Sequence, residues 1–219
     1  MTDGKYIKRS YEVEFRDAEN LAPADDGLVY VEGHPIVFEQ MTKIGEWFYE
    51  TIKKDALDGA DLSDVALYTN HDVDKIPLAR CRKGRAKNSL EINIDERGLY
   101  FKAGLDVNSN QESAALVSAI KRGDVTGMSF AFTVDEDKWE NLNEEIPVRT
   151  IEKIQKVFEI SAVTYPAYAG TDIDVANRSR QLESDKAALE SVKRNAQKQA
   201  EIETAKMKAE MLKQKIALM

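Results

Sequence analysis

The sequence predicts a β-dominated α+β fold, a barrel or a sandwich, followed by one long helix. Three observations carry that prediction. Short runs of alternating apolar and polar residues recur between Tyr11 and Thr164, which is the two-residue period of half-buried strands. No regular strand-helix-strand alternation links them, so a doubly wound parallel sheet is disfavoured. Near Arg180 the composition changes abruptly: from Gln181 to Met219 there is no Gly, Pro or aromatic residue, and Ala, Glu, Lys, Gln and Leu dominate, a helix-forming mixture.

Taken in order, Tyr11, Val13 and Phe15 alternate with Glu12, Glu14 and Arg16 and give a first strand. Residues 28–38 are rich in Val, Ile, Tyr and Phe and form a second strand region, interrupted at Gly33-His34-Pro35. Ile44, Trp47, Phe48, Ile52 and Leu57 recur at helical spacing with Gly59 beyond them, which predicts a helix over 44–57. Val65 to Tyr68 is a short apolar strand running into Asn70-His71-Asp72. Residues 78–82, 89–94 and 99–105 read as strands, the last two joined by the hairpin turn Asp95-Glu-Arg-Gly98. Ala115, Leu116, Ala119 and Ile120 line one side of an amphipathic helix over 110–122. A strand from Met128 follows, then an acidic loop over 135–147, then two strands over 148–154 and 156–164 closed by Tyr165-Pro-Ala-Tyr168.

Two domains are expected, 1–180 and a helical arm 181–219. The arm carries a net charge of +2 against −10 for the rest, within a total of −8. Ile202, Ala205, Ala209, Leu212, Ile216 and Met219 follow a 3-4 spacing, and Leu189, Val192 and Ala196 follow it one residue out of step, a coiled-coil-like seam with a break. A helix over 183–218 would be about 54 Å long, too long to pack along a domain of this size. It is expected to bind a partner or itself.

An acidic chain of 219 residues can bury a sizeable core but lacks the basic surface of a nucleic-acid binder. One cysteine, Cys81, rules out an internal disulfide framework and fits a reducing compartment. Two histidines, His34 and His71, exclude a site of several histidine ligands, and no Cys-x-x-Cys, P-loop or Gly-x-Gly-x-x-Gly pattern is present. The first thirty residues hold no signal-type apolar block, and no 18-residue apolar run occurs. The expectation is a soluble intracellular protein with no membrane or nucleic-acid partner, no cofactor and no metal.

The chemistry concentrates in Gly123-Asp-Val-Thr-Gly-Met-Ser-Phe-Ala-Phe132. Met128, Phe130 and Phe132 share one strand face and leave Ser129 on the other, a small hydroxyl presented from an apolar strand. A serine that attacks a carbonyl needs a base, and the base needs an acceptor on its second nitrogen. His71, at a strand end among polar neighbours, is the candidate base. Glu159 shares its strand face with Val157, Ser161 and Val163; an inward carboxylate there must be paired, which makes it the candidate orienter. Asp72 is the runner-up, disfavoured because adjacent strand residues face opposite ways. His34 ranks below it, in a turn-like Gly-His-Pro. Cys81 is an alternative nucleophile whose simpler role is a buried structural thiol.

These segments resemble the caudovirus prohead serine protease family, the maturation proteases of tailed-phage proheads. The resemblance rests on Glu14-Phe-Arg16, Val65-Ala-Leu-Tyr-Thr-Asn-His-Asp72, Arg97-Gly-Leu-Tyr-Phe101, Arg122-Gly-Asp-Val-Thr-Gly-Met-Ser-Phe-Ala-Phe132 and Glu159-Ile-Ser-Ala-Val-Thr-Tyr-Pro-Ala-Tyr168. It spans roughly residues 5 to 175. It implies a closed β-barrel ringed by helices, like herpesvirus assemblin, and a serine endopeptidase with His71 as base and Ser129 as nucleophile. Herpesvirus relatives use a second histidine as third member; no histidine follows His71 here, and Glu159 takes that place. Ile76-Pro-Leu-Ala-Arg80 departs from the Leu-Gly-Arg-Thr common in relatives. The implied partners are the major capsid protein and its scaffolding segment, with self-association through the C-terminal helix, and the implied location is the assembling procapsid in the host cytoplasm. The alternative from another class is a non-catalytic capsid-assembly scaffold, which would make no use of the Ser129 hydroxyl.

Overall fold

The computed structural model describes residues 6–12, 15–164 and 175–217. Ten strands and two α-helices follow one another as β1 (Tyr6–Glu12), β2 (Val29–Val37), β3 (Thr42–Ile44), β4 (Phe48–Ile52), β5 (Asp64–Thr69), β6 (Ala79–Arg82), β7 (Leu90–Ile94), β8 (Gly98–Leu105), α1 (Gln111–Lys121), β9 (Gly127–Glu140), β10 (Val148–Val163) and α2 (Val175–Ala217). Strand β10 organises the larger sheet. It pairs antiparallel with β9 along one edge, while its other edge is shared by two parallel partners, β4 beside Val148 to Ile151 and β5 beside Glu159 to Ala162. Beyond β9 lies β1; β3 flanks β4 and β6 flanks β5. A separate three-stranded sheet runs β2-β8-β7. Val31 and Phe101 from the small sheet, Phe130 and Ile160 from the large one, and Leu116 and Ile120 from α1 belong to one buried cluster.

Local chemistry places the elements. Asn110 caps α1 by accepting from the backbone N–H groups of Glu112 and Ser113, a cap worth about 1 kcal/mol. Gly123, at φ 74°, ends that helix in the left-handed conformation glycine adopts without penalty. In the β7–β8 turn the Asp95 carboxylate accepts from Arg97 and Gly98 N–H groups. A Cβ at Gly98 would sit 1.9 Å from the Ile36 carbonyl oxygen, so only glycine fits there.

The closed barrel ringed by helices does not form. Strands β1 and β3 end the path of the large sheet without pairing to each other, and β2, β8 and β7 pair only among themselves. Among the described residues no sheet closes, and α1 and α2 are the only α-helices. The physical reason lies in β10, whose register against β9 shifts at several points between Ile151 and Glu159. Such bulges bend a strand and raise its twist, and on its other edge β10 is divided between β4 and β5, so the sheet forks there and does not continue around a cylinder.

Two other expectations fail locally. The helix expected over 44–57 is the β3–β4 hairpin, with Gly45 at φ 57° in its turn. Phe48, Glu50 and Ile52 are buried and alternate with half-buried Tyr49 and Thr51; a charged residue on the inward face hid the two-residue period. The acidic loop expected over 135–147 is strand in its first half, since β9 runs to Glu140 and pairs with β10, and only 141–147 forms the turn. Its exposed carboxylates are held by cross-strand cations, Glu136 by Lys153 and Asp137 by Arg149. Val13, Glu14 and the Tyr165-Pro-Ala-Tyr168 segment lie outside the described residues.

Helix α2 has 43 residues and is about 65 Å long. Asp185 is buried, and Leu189 packs with Ile44 and Phe48 beside Trp139. From Arg194 to Gln214 every residue is exposed, including Ile202, Met207, Met211 and Leu212. The composition change at Arg180 thus falls inside the helix, and residues 185 and 189 are on the sheet.

Candidate active site

Three adjacent strands bring the candidate residues together. Ser129 of β9 sits opposite Ser161 of β10, and Ser161 sits opposite Tyr68 of β5. Paired residues share a sheet face, so Ser129, Ser161 and Glu159, two residues from Ser161, line the same side. β5 ends at Thr69, and Asn70 and His71 follow at φ 50° and 59°. Two consecutive left-handed residues reverse the chain sharply, and Asn tolerates that conformation better than most residues. The Asn70 side-chain oxygen accepts from the Thr164 N–H and hydroxyl, and its own N–H donates to the Ala162 carbonyl. That anchored turn folds the His71 ring back over the face that carries Ser129.

The ring is bonded on both nitrogens. His71 Nδ1 lies 2.5 Å from Glu159 Oε1, and His71 Nε2 lies 2.5 Å from Ser129 Oγ. A carboxylate only accepts, so Nδ1 carries the proton, and in the neutral ring Nε2 is then an acceptor aimed at the serine hydroxyl. Glu159 is 2 % exposed and Ser129 is fully buried. The second carboxylate oxygen of Glu159 accepts from the Ser161 hydroxyl at 2.6 Å, and Ser161 Oγ accepts in turn from the His71 backbone N–H at 3.2 Å. Ser161 therefore ties the carboxylate to the turn that holds the histidine. The only sequence signal for it was its position on the same strand face as Glu159.

Strand β1 covers the serine. Ser10 pairs with Ser129 and donates to its hydroxyl at 2.9 Å, and Ser129 Oγ lies 2.8 Å from the Arg9 carbonyl oxygen. The Ser129 proton thus has two acceptors in reach, Arg9 O and His71 Nε2. The Tyr6 ring rests on Phe158, centroids 5.3 Å apart. Burial pushes the Tyr6 hydroxyl well above its ordinary pKa, with the nearby Glu159 charge and Tyr68 adding to it. On the opposite face of β1, the Arg9 guanidinium bonds Glu50 at 2.5 and 2.9 Å and Asp185 at 3.1 and 3.2 Å. Arg149 holds the second oxygen of Glu50 at 3.1 Å.

The other candidates lie elsewhere. Asp72 is half-exposed with its carboxylate toward Lys75 at 3.8 Å, away from the His71 ring. His34 bonds Asp95 at 2.8 Å within the small-sheet region. Cys81 pairs with Val65 in β6, and burial, then the Asp64 charge, raises its thiol pKa, which disfavours the thiolate a nucleophile needs. Among the described residues no group of three or more His, Cys, Asp or Glu side chains is arranged to hold a metal ion.

Comparison with known proteins agrees with the sequence resemblance. No curated protein matches the chain. A solved structure, that of the bacteriophage T4 capsid assembly protease, gp21, is similar at a TM-score of 0.45 and 13 % identity, covering 75 % of this chain and all of that one; so distant a likeness carries no argument. The family model for caudovirus prohead serine protease matches residues 11–186, which include Ser129, His71 and Glu159. With four-fifths of its length matched, the chain belongs to the caudovirus prohead serine protease family.

Proposed function

We propose that Ser129 is the nucleophile of this serine protease, His71 its general base and Glu159 the acceptor that orients and stabilises the imidazole. The observation that carries this reading is the His71 ring bonded at Nδ1 to a buried carboxylate and at Nε2 to a serine hydroxyl. As Ser129 Oγ attacks a peptide carbonyl, its proton passes to Nε2; Glu159 stays ionised and stabilises the imidazolium. Nε2 then returns the proton to the departing amine, and water repeats the cycle on the acyl-enzyme. Ser161 keeps Glu159 and the His71 turn in register.

The substrates under this reading are the capsid protein and its scaffolding segment inside the procapsid, and then the protease itself. Two features support it: the family to which the chain belongs, and an arm whose exposed apolar residues suit docking on a helical partner or a second copy. The buried serine sets a condition on access. With β1 in place no external peptide reaches Ser129, whose hydroxyl donates to the Arg9 carbonyl oxygen, so β1 must be cleared before a substrate strand can take its place.

Co-expression of the chain with its capsid and scaffolding proteins, followed by intact-mass measurement, tests the substrate assignment. Shortened capsid and scaffold chains are expected. Unchanged masses of both, alongside a protease that cleaves other peptides, would contradict it.

A further inference from the structure

We infer that Glu50 and Asp185 form the specificity pocket of this protease, and that it cleaves after arginine or lysine. The inference rests on the reading that Ser129 is the nucleophile and that β1 lies where a substrate strand lies. In that arrangement the Arg9 carbonyl oxygen accepts from the Ser129 hydroxyl at 2.8 Å. A substrate strand in the same register therefore presents its peptide bond at this position to the serine, and its side chain at this position to the subsite just before the cut. That subsite is built for a cation. Glu50 is fully buried and Asp185 nearly so, and the guanidinium meets both carboxylates with paired nitrogen–oxygen contacts, the two-pronged geometry that arginine and carboxylates favour.

Charge balance leads to the same preference. With Arg9 in place, Glu50 faces two guanidinium groups, Arg9 and Arg149. When β1 leaves, Glu50 keeps only the shared Arg149, which also serves Asp137. A buried carboxylate stripped of a counter-charge is costly, so an incoming cationic side chain is favoured over an apolar or acidic one. Because β1 and an incoming strand would both pair along the same edge of β9, the substrate places its side chains in the same alternation, one residue to the pocket and its neighbours to the serine face. Asp185 belongs to α2, so the C-terminal helix contributes one wall of the pocket.

The test uses the full-length chain with an excess of peptides copied from Tyr6–Glu12, which compete with β1 for the edge of β9, and in which the residue at the Arg9 position is Arg, Lys, norleucine, Gln or Glu. Arg and Lys peptides are expected to be cut at that position, with kcat/KM at least about 100-fold above the uncharged norleucine peptide and the Glu peptide cut least. Asp185→Asn should narrow the Lys-to-norleucine ratio about tenfold, a selective effect that mere destabilisation, which lowers both rates together, would not produce. Cleavage of all five peptides at similar rates, or preference for norleucine or Glu, overturns the pocket and leaves the Ser129 assignment standing. Absence of cleavage of every peptide, together with intact capsid protein after co-expression, overturns the underlying reading as well.

Discussion

The carbonyl oxygen of Arg9 lies 2.8 Å from Ser129 Oγ, while the guanidinium of the same residue is clamped between Glu50 and Asp185. One residue of an edge strand therefore joins the candidate nucleophile to the start of the C-terminal helix. The backbone of Arg9 competes with His71 for the serine proton, and its side chain anchors the strand that does so. Displacing β1 would expose the serine, and it would break the buried ion pairs of Arg9 with Glu50 of β4 and Asp185 of α2.

Glu159→Gln preserves shape but removes the charge that stabilises the imidazolium. Turnover should fall by about 10²–10⁴-fold with little change in melting temperature. Asp72→Asn, at a side chain turned toward Lys75, should stay within a few-fold of wild type. Parallel peptidase assays decide, and the reverse ranking would move the orienting role to Asp72. Ser161→Ala should fall between the two, since it acts only through Glu159 and the His71 turn.

Much of this was legible in the sequence because strand periodicity and motif spacing are local. The strand face that Glu159 shares with Val157, Ser161 and Val163 pointed to an inward carboxylate, and the predicted positions of β2, β5 to β8 and α1 lie within a residue or two of those observed. Glu50 shows where local pattern misleads: a charge facing inward mimics a solvent-facing residue, and only the distant Arg9 and Arg149 make its burial tolerable. Open or closed sheets cannot be told apart from strand patterns alone. Closure depends on bulges such as those of β10 and on which edges meet, both set by contacts far apart in the chain. The covering of Ser129 by β1 was invisible for the same reason, as residues 10 and 129 meet only in the folded sheet.

Acid should weaken the fold through Glu50. Burial alone would raise its pKa, but Arg9 and Arg149 outweigh that and hold it below the ordinary carboxylate value. A lowered pKa in the folded state means the stabilisation is present above the unfolded value and is lost as pH falls through the folded one. Melting temperatures of the wild type should drop more steeply between about pH 5 and pH 3 than those of Glu50→Gln. That variant should already be less stable at neutral pH, by about 3–5 kcal/mol, because Arg9 loses a buried partner. Equal slopes in the two melting series would remove Glu50 from the acid response.

Helix α2 divides into a docked start and a free arm. A chain ending after Arg194 keeps Asp185 and Leu189 and should melt within a few degrees of full length while still cutting peptides. A chain ending after Arg180 loses the Leu189 burial, worth about 1.5–3 kcal/mol, and the Asp185 contact to Arg9. It should be markedly less stable and less selective for basic residues. Equal melting temperatures for the two truncations would mean that the helix start does not contribute to the catalytic fold.

The most direct test of the central claim is the mass of the capsid protein after co-expression with Ser129→Ala. A methyl fits where the hydroxyl sits, so the variant should fold, with a melting temperature only a few degrees lower for the hydrogen bonds lost, and removing a triad nucleophile typically lowers turnover by about 10⁶-fold. The account predicts a full-length capsid chain with the variant and a shortened one with the wild type. Capsid protein shortened at the wild-type rate by the alanine variant would contradict it.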